Sequence, residues 1–124
     1  MNVREYFAFI QSGALAAPHV IETDLSFEEI SESECYIRGK LTLGGGFELH
    51  VAEYVLADPE FRRLKYRYHL QTAKGKLIAR WDNAPHHPEV STHPNHFHSA
   101  ENKIRPSEAM DILRVLDEIV SFIE

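Results

Sequence analysis

The sequence predicts an α+β domain in which an antiparallel β-meander of four to five strands packs one face against helices. Two observations carry this prediction. Apolar and polar residues alternate along much of residues 19–82, and glycine or proline turns separate the runs. The last part of the chain instead repeats its apolar residues at helical spacing, so that it needs a sheet to cover. Since no repeat or linker interrupts the pattern, we expect a single domain over residues 1–124.

The first half of the chain predicts one short helix and three strands. The helix spans residues 3–11 and is followed by Pro18, which ends that region; its apolar residues are Val3, Tyr6, Phe7 and Ile10. The first strand, "HVIETDLSFEEI", has the weakest pattern. The next two, "ECYIRGKLTL" and "FELHVAEYVLA", alternate well and are joined by the glycines at 44–46, which tolerate the positive φ of a tight turn.

A hairpin of two further strands follows, "FRRLKYRYHLQT" and "LIARWD", joined by "AKGK". We expect Leu64, Tyr66, Tyr68 and Leu70 to face the core and Arg63, Lys65, Arg67, His69 and Gln71 to face away. A turn of two or four residues places Tyr68 opposite Trp81 and Leu70 opposite Ala79. It also places Arg67 opposite Asp82 and His69 opposite Arg80, so that aromatic and charged residues pair sensibly.

A C-terminal helix is predicted to cover the apolar face of this sheet. Pro106 suits a first helical turn, and Glu108 suits a helix N-terminus. The expected apolar stripe consists of Ala109, Ile112, Leu113, Leu116, Ile119, Val120 and Ile123. With both helices on one face, the opposite face of the sheet stays open.

Charge is distributed unevenly along the chain. The net charge of −6 argues against a general nucleic-acid binder, yet residues 61–81 carry seven basic residues and no acidic one. This basic band fits either a solvated strand face or an anion-binding surface. No apolar run is long enough for a membrane span, and the start of the chain lacks the basic segment of a signal peptide. Together with the lone Cys35, for which a buried thiol is expected, this indicates a cytoplasmic protein with no membrane association.

Glu53 breaks the alternation of its strand. It falls in register with the core residues Leu49, Val51 and Val55, where burial would raise its pKa and suit it to general acid or base catalysis. A β-bulge at Ala52, or an edge position, would instead turn Glu53 outward, and the sequence favours that arrangement.

Five of the eight histidines fall between His86 and His98, in the run "WDNAPHHPEVSTHPNHFHS". Imidazole titrates near neutral pH and can both give and take a proton, so we expect a catalytic loop. Imidazoles also bind zinc or nickel, but the spacing matches no tight metal signature, and we expect neither a metal nor another cofactor. A structural role stays open, because Asp82 and Asn83 can hold a turn through bonds to the backbone.

The same stretch resembles the TumE-like toxins of type II toxin–antitoxin systems. The resemblance covers the chain from about residue 47 onward, with Trp81 where a tyrosine is more usual. It is carried by Arg80, Asp82, Asn83, His86, His87, Pro94, His96 and His98, and by the strands that contain Glu53, Tyr66 and Tyr68. It implies a toxin held inactive by a cognate antitoxin protein, and it assigns no catalytic residue.

The residues themselves must supply a mechanism, and the first hypothesis is metal-independent cleavage of RNA. His86 or His87 would act as acid or base, and Glu53 is a further candidate. Arg80 would hold the phosphate, and Asp82 would orient a histidine or Arg80. The expected substrate-binding residues are Lys65, Arg67, His69, Asn83, His96 and His98. The alternatives are a non-enzymatic protein- or nucleic-acid-binding module and a metal-dependent hydrolase that uses the same histidines. A homodimer is left open.

Overall fold

The computed structural model describes residues 1–124 as one antiparallel seven-stranded sheet with three helices. The strands lie side by side in chain order: β1 (Val20–Ser31), β2 (Glu34–Leu43), β3 (Phe47–Leu56), β4 (Arg62–Thr72), β5 (Leu77–Asp82), β6 (His96–His98) and β7 (Ile104–Pro106). The helices are α1 (Val3–Ala16), α2 (Ile112–Glu118) and α3 (Val120–Ile123). The predicted α+β meander is confirmed, with more strands than the four to five expected. None of the three helices has both the length and the apolar composition needed to cross a bilayer.

Helix α1 is longer than the predicted segment 3–11. Asn2 begins it through a capping box, in which the side chains of Asn2 and Glu5 each accept a hydrogen bond from the other residue's backbone N–H. The helix continues past Gly13, where the absence of a side chain lets α1 approach α2 closely. A Cβ atom at Gly13 would lie 2.7 Å from the side chain of Leu113.

The β4–β5 register is the predicted one: Tyr68 pairs with Trp81, and Arg67 pairs with Asp82. The expected bulge at Ala52 is wrong, because β3 pairs without interruption on both sides of that residue. The irregularity instead lies in β4, where Leu64 is an extra residue between the pairs Tyr54–Lys65 and Val55–Arg63.

This bulge changes which residues of β4 face the core. Leu64, predicted to be in the core, is 38% exposed. Arg63, predicted to face away, is turned to the helix side instead, where its guanidinium lies over the ring of Tyr6. Tyr66, Tyr68 and Leu70 lie beyond the bulge and are buried as predicted.

Strands β6 and β7 lie within the segment predicted to be irregular. Their three-residue length hides the alternation that marks a strand in sequence. Strand β6 pairs with β5 so that His96 lies opposite Asp82 and His98 lies opposite Arg80. The pairing therefore brings both ends of the histidine-rich stretch to one face of the sheet.

The C-terminal helix begins later than predicted. Pro106 ends the edge strand β7, where a missing N–H costs no hydrogen bond, instead of starting a helix. Asp111 caps α2 by accepting a hydrogen bond from the backbone N–H of Arg114 at 2.8 Å. Ala109 and Glu108 therefore lie outside the helix and are exposed, whereas Ile112, Leu116 and Ile119 of the predicted stripe are buried.

The core lies between the helices and one face of the sheet, and it joins Tyr6 and Ile10 of α1 with Tyr68 and Trp81 of the strands. Cys35 is buried in it as expected, and burial, followed by the nearby Glu53, raises the pKa of its thiol to about 11. The opposite face of β2–β6 carries no helix. It is the surface on which the polar side chains of these strands gather.

Candidate active site

The open face forms a cleft of about 950 Å³ across β2–β6. Its floor consists of the outward-facing residues of the strands, and one wall consists of the chain between β5 and β6. Of the predicted site residues, it is lined by Glu53, Lys65, Arg67, Arg80, Asp82, Asn83, His86, His87, His96 and His98. Most of the predicted site is therefore brought to one concave surface.

At one end of the cleft lies a group that we call the histidine centre, consisting of Asp82, His87, His96 and His98. His96 Nε2 lies 3.0 Å from Asp82 Oδ1, and His98 Nε2 lies 3.4 Å from Asp82 Oδ2. The two Nε2 atoms are 3.1 Å apart. The ring of His87 packs against both of the other rings, with centroids 4.9 Å from His96 and 5.7 Å from His98.

Each histidine of the centre has an oxygen beside its Nδ1 atom. His96 Nδ1 is 2.8 Å from the carbonyl oxygen of Pro94, and His98 Nδ1 is 3.2 Å from Asn102 Oδ1. His87 Nδ1 is 3.2 Å from a carboxylate oxygen of Glu89. A proton on Nδ1 satisfies these oxygens and, in the neutral ring, leaves the Nε2 lone pair free. For His96 and His98 that lone pair then faces an Asp82 oxygen, to which an Nε2–H would also donate.

Arg80 supplies a cation at the edge of the centre. Its Nε lies 3.2 Å from Asp82 Oδ2, and one terminal nitrogen lies 3.1 Å from His98 Nε2. Burial lowers the pKa of His98, and the charge of Arg80 acts in the same direction, whereas Asn102 and Asp82 oppose it. The shift favours a neutral His98 ring.

The loop after β5 is held by the two residues proposed to fix a turn. Asp82 Oδ1 accepts a hydrogen bond from the backbone N–H of Ala84 at 3.0 Å. Asn83 accepts one from the backbone N–H of Tyr66 and donates one to the carbonyl of Leu64. Both ends of the Asn83 amide are thus bonded to β4, so this residue fixes the path of the loop.

Two exposed basic residues, Lys65 and Arg67, extend from β4 along the cleft floor, and Arg38 of β2 adds a third. Beside them, Tyr36 and Tyr54 stack with ring centroids 4.7 Å apart. The cleft therefore joins a cationic floor and an aromatic surface to the histidine centre.

Glu53 lies apart from the histidine centre. Its side chain is turned to the helix side, where its two oxygens accept hydrogen bonds from the hydroxyls of Tyr6 and Tyr68. The guanidinium of Arg63 is 3.8 Å away. Burial raises the pKa of Glu53, and the two tyrosine hydrogen bonds and Arg63 oppose that shift.

The other two predicted residues also lie away from the centre. His86 is exposed at the rim of the cleft. His69 is on the open face but outside the main cleft, and burial, together with Arg67 and Arg80, lowers its pKa to about 4. His69 is therefore neutral at neutral pH and adds no charge for binding an anion.

Several residues of the site were missed in the sequence. The pair Tyr36 and Arg38 alternates outward from β2, which was a signal for the open face but not for a function. Asn102 could not be found, since its contact with His98 depends on the β6–β7 turn and on a positive φ of 59°. Arg63, which lies with Glu53 on the helix side and not in the cleft, was missed because of the bulge at Leu64.

Comparison with known proteins identifies the class. The family model described as Toxin TumE matches residues 9–124, nearly the whole chain, so this protein belongs to the TumE toxin family. The match reaches further toward the N-terminus than the resemblance that begins near residue 47. No curated protein and no solved structure matches the chain. Membership of a toxin family implies, in general, an antitoxin partner.

Proposed function

We propose that this toxin cleaves RNA in the open cleft, in the cytoplasm, and that a cognate antitoxin blocks it. One observation carries the proposal above all others: a cleft with a cationic floor ends at a buried cluster of imidazoles and one carboxylate. Phosphate binding and proton transfer are the two capacities that RNA cleavage needs, and in this cleft they adjoin.

The charge of the cleft supports a polyanionic substrate. Lys65, Arg67 and Arg38 line it, although the protein as a whole carries a net charge of −6. The acidic residues are concentrated elsewhere in the sequence, and the two that line the cleft, Glu53 and Asp82, are both buried. Backbone phosphates are therefore attracted to this face and repelled by most of the remaining surface.

The aromatic pair supports a single-stranded substrate. Tyr36 and Tyr54 line the cleft beside Arg38, whose guanidinium is 5.3 Å from the ring centroid of Tyr36. Unpaired bases stack on such aromatic surfaces, whereas bases within a duplex do not expose their faces.

The histidine centre supports the chemistry. One neutral imidazole can accept the proton of a 2′-hydroxyl while a protonated neighbour donates to the leaving oxygen. Arg80, close to His98 and Asp82, is positioned to bind the reacting phosphate, and Asp82 orients the rings. Glu53 has no part in this scheme, because its oxygens are occupied by Tyr6 and Tyr68.

A metal-dependent hydrolase is the second candidate function. It is favoured by the convergence of one ring nitrogen each from His87, His96 and His98 within 4.8 Å of one another. Both functions use the same cleft and the same substrate class, and they differ in what activates the attacking oxygen.

Binding to RNA tests the proposal through the cationic floor. We expect the double variant Lys65→Ala with Arg67→Ala to bind a labelled single-stranded RNA at least about tenfold more weakly. The plot of log binding constant against log salt concentration should also become less steep, by about 1 to 2. Fluorescence anisotropy at several salt concentrations measures both quantities. The same variant should lose RNA cleavage.

The matched control is Lys74→Ala with Lys76→Ala. These residues lie in the exposed β4–β5 turn, outside the cleft, and their removal changes the net charge equally. Equal weakening by both pairs would mean that RNA contacts the protein without using the cleft, and the proposal would be rejected.

A further inference from the structure

We propose that the histidine centre is a site for one divalent transition-metal ion of the zinc class, bound by His87, His96 and His98 with Asp82 as a fourth ligand or as the carboxylate that orients them. This revises the expectation of no metal. An ion bound there would take the Nε2 lone pairs, so the metal-dependent form of the proposed function would then hold in place of proton transfer by free imidazoles. The inference concerns metal binding alone, so it does not require RNA to be the substrate.

The spacing of the donor atoms fits a tetrahedral ion. Ligand atoms about 2.0–2.2 Å from a tetrahedral zinc lie roughly 3.3 Å from one another. The two Nε2 atoms of His96 and His98 are 3.1 Å apart, and Asp82 oxygens lie 3.0 and 3.4 Å from them. The donor atoms of His96, His98 and Asp82 therefore lie at ligand-to-ligand distances, with a different Asp82 oxygen nearest each ring. One ring nitrogen of each of the three histidines lies within 4.8 Å of the others, so His87 would move inward to complete the site.

The partners of the Nδ1 atoms fit the same role. A histidine that binds a metal through Nε2 usually donates its Nδ1 proton to a carbonyl, an amide or a carboxylate oxygen, which fixes the orientation of the ring. All three histidines have such an oxygen, from Pro94, Asn102 and Glu89. All three rings are therefore held as metal-binding histidines usually are.

The burial of the centre favours a cation there. His96 and His98 are 2% and 5% exposed, and with their protons on Nδ1 the two Nε2 lone pairs face each other and a carboxylate. Converging acceptors without a donor are unfavourable where water is excluded. A shared proton would relieve the conflict, but a metal ion also uses the lone pair of His87.

The guanidinium of Arg80 does not occupy the position proposed for the metal ion. Its terminal nitrogen lies 3.1 Å from His98 Nε2 and 3.3 Å from His98 Nδ1. A donor aligned with the lone pair of one ring nitrogen would lie well beyond bonding distance of the other ring nitrogen. Since the Arg80 nitrogen is close to both, it is aligned with neither, and the Nε2 lone pair of His98 stays available to an ion. The negative charge of Asp82 offsets the presence of two cations at one site.

Metal titration of the tag-free protein, after chelation and dialysis, tests the inference. We expect ZnCl₂ to bind with one site per chain and a submicromolar Kd in isothermal titration calorimetry. We also expect CoCl₂ to produce the visible absorption of tetrahedral Co²⁺. His87→Ala, and the double variant His87→Ala with His98→Gln, should lose at least about 100-fold in Zn²⁺ affinity.

The control is His93→Ala, which removes an exposed histidine of the same stretch that is outside the centre. It should bind Zn²⁺ as the wild type does, and circular dichroism should show that all variants are folded. If the double variant is unfolded, His87→Ala alone tests the inference. His87 is only half-buried, so we expect its replacement to leave the protein folded.

No binding below millimolar Zn²⁺, or equal affinity in His87→Ala and the wild type, would overturn the inference and leave a shared proton as the account of the centre. Zinc binding at the centre without RNA cleavage would sustain it and reject the proposed function. Cleavage of RNA by a protein that binds no metal would overturn the inference and support the proposed function.

Discussion

Replacing Arg80 by alanine is expected to reduce the rate at which the purified protein cleaves single-stranded RNA by at least about 100-fold, the usual effect of removing one donor that stabilises a transition-state charge. The guanidinium lies between Asp82 and His98 and lines the cleft. It is therefore the cation nearest to the groups that would transfer protons. Single-turnover cleavage of a labelled oligonucleotide measures the effect.

The fold should survive this change, because Asp82 keeps its contact with His96 and its hydrogen bond from the backbone of Ala84. The matched control is Arg105→Ala, which removes an exposed arginine of β7 outside the cleft and should cleave at the wild-type rate. An unfolded Arg80→Ala protein would show that Arg80 has a structural role instead, and a folded and fully active one would show that cleavage does not need its charge.

The largest loss of stability is expected for Glu53→Ala, which should lower the free energy of unfolding by about 3 kcal/mol or more at neutral pH. The substitution leaves the hydroxyls of Tyr6 and Tyr68 without their acceptor and the guanidinium of Arg63 without its carboxylate. These groups join α1 to the sheet. Since small domains are stable by about 5–15 kcal/mol, the loss is a large share of the total.

Urea denaturation followed by circular dichroism measures this difference. Glu53→Gln should lose less, about 1 to 2 kcal/mol, because the amide still offers one acceptor in the same position. Glu60→Ala, at an exposed turn residue, should stay within about 0.5 kcal/mol of the wild type. If Glu53→Ala instead costs less than about 1 kcal/mol, the buried network does not stabilise the packing of α1 on the sheet.

The strands were predictable where alternation is long. The bounds of β2 and β5 agree with the sequence runs, and the pairing of Arg67 with Asp82 was predicted from charge and turn length. The bulge at Leu64 was not predictable, since one extra residue on one strand reverses the facing of everything before it without altering composition. Arg63 and Glu53 consequently appeared unrelated in sequence, although they lie 3.8 Å apart.

The composition of the histidine centre was predictable, but its arrangement was not. The sequence indicated His86 or His87 as the acid or base of the site. The structure instead brings His96 and His98 to Asp82, since β6 pairs directly with β5. A strand of three residues gives no periodic signal, so only the three-dimensional pairing reveals which histidines meet.

The central claim is that this toxin acts on RNA through the histidine centre, and its most direct test is growth and total RNA after induced expression in the same cultures. The wild type and His93→Ala should arrest growth and degrade RNA, whereas a folded His87→Ala, His98→Gln double variant should do neither. Growth arrest with intact RNA in wild-type cultures would contradict the claim, as would degradation of RNA by the double variant.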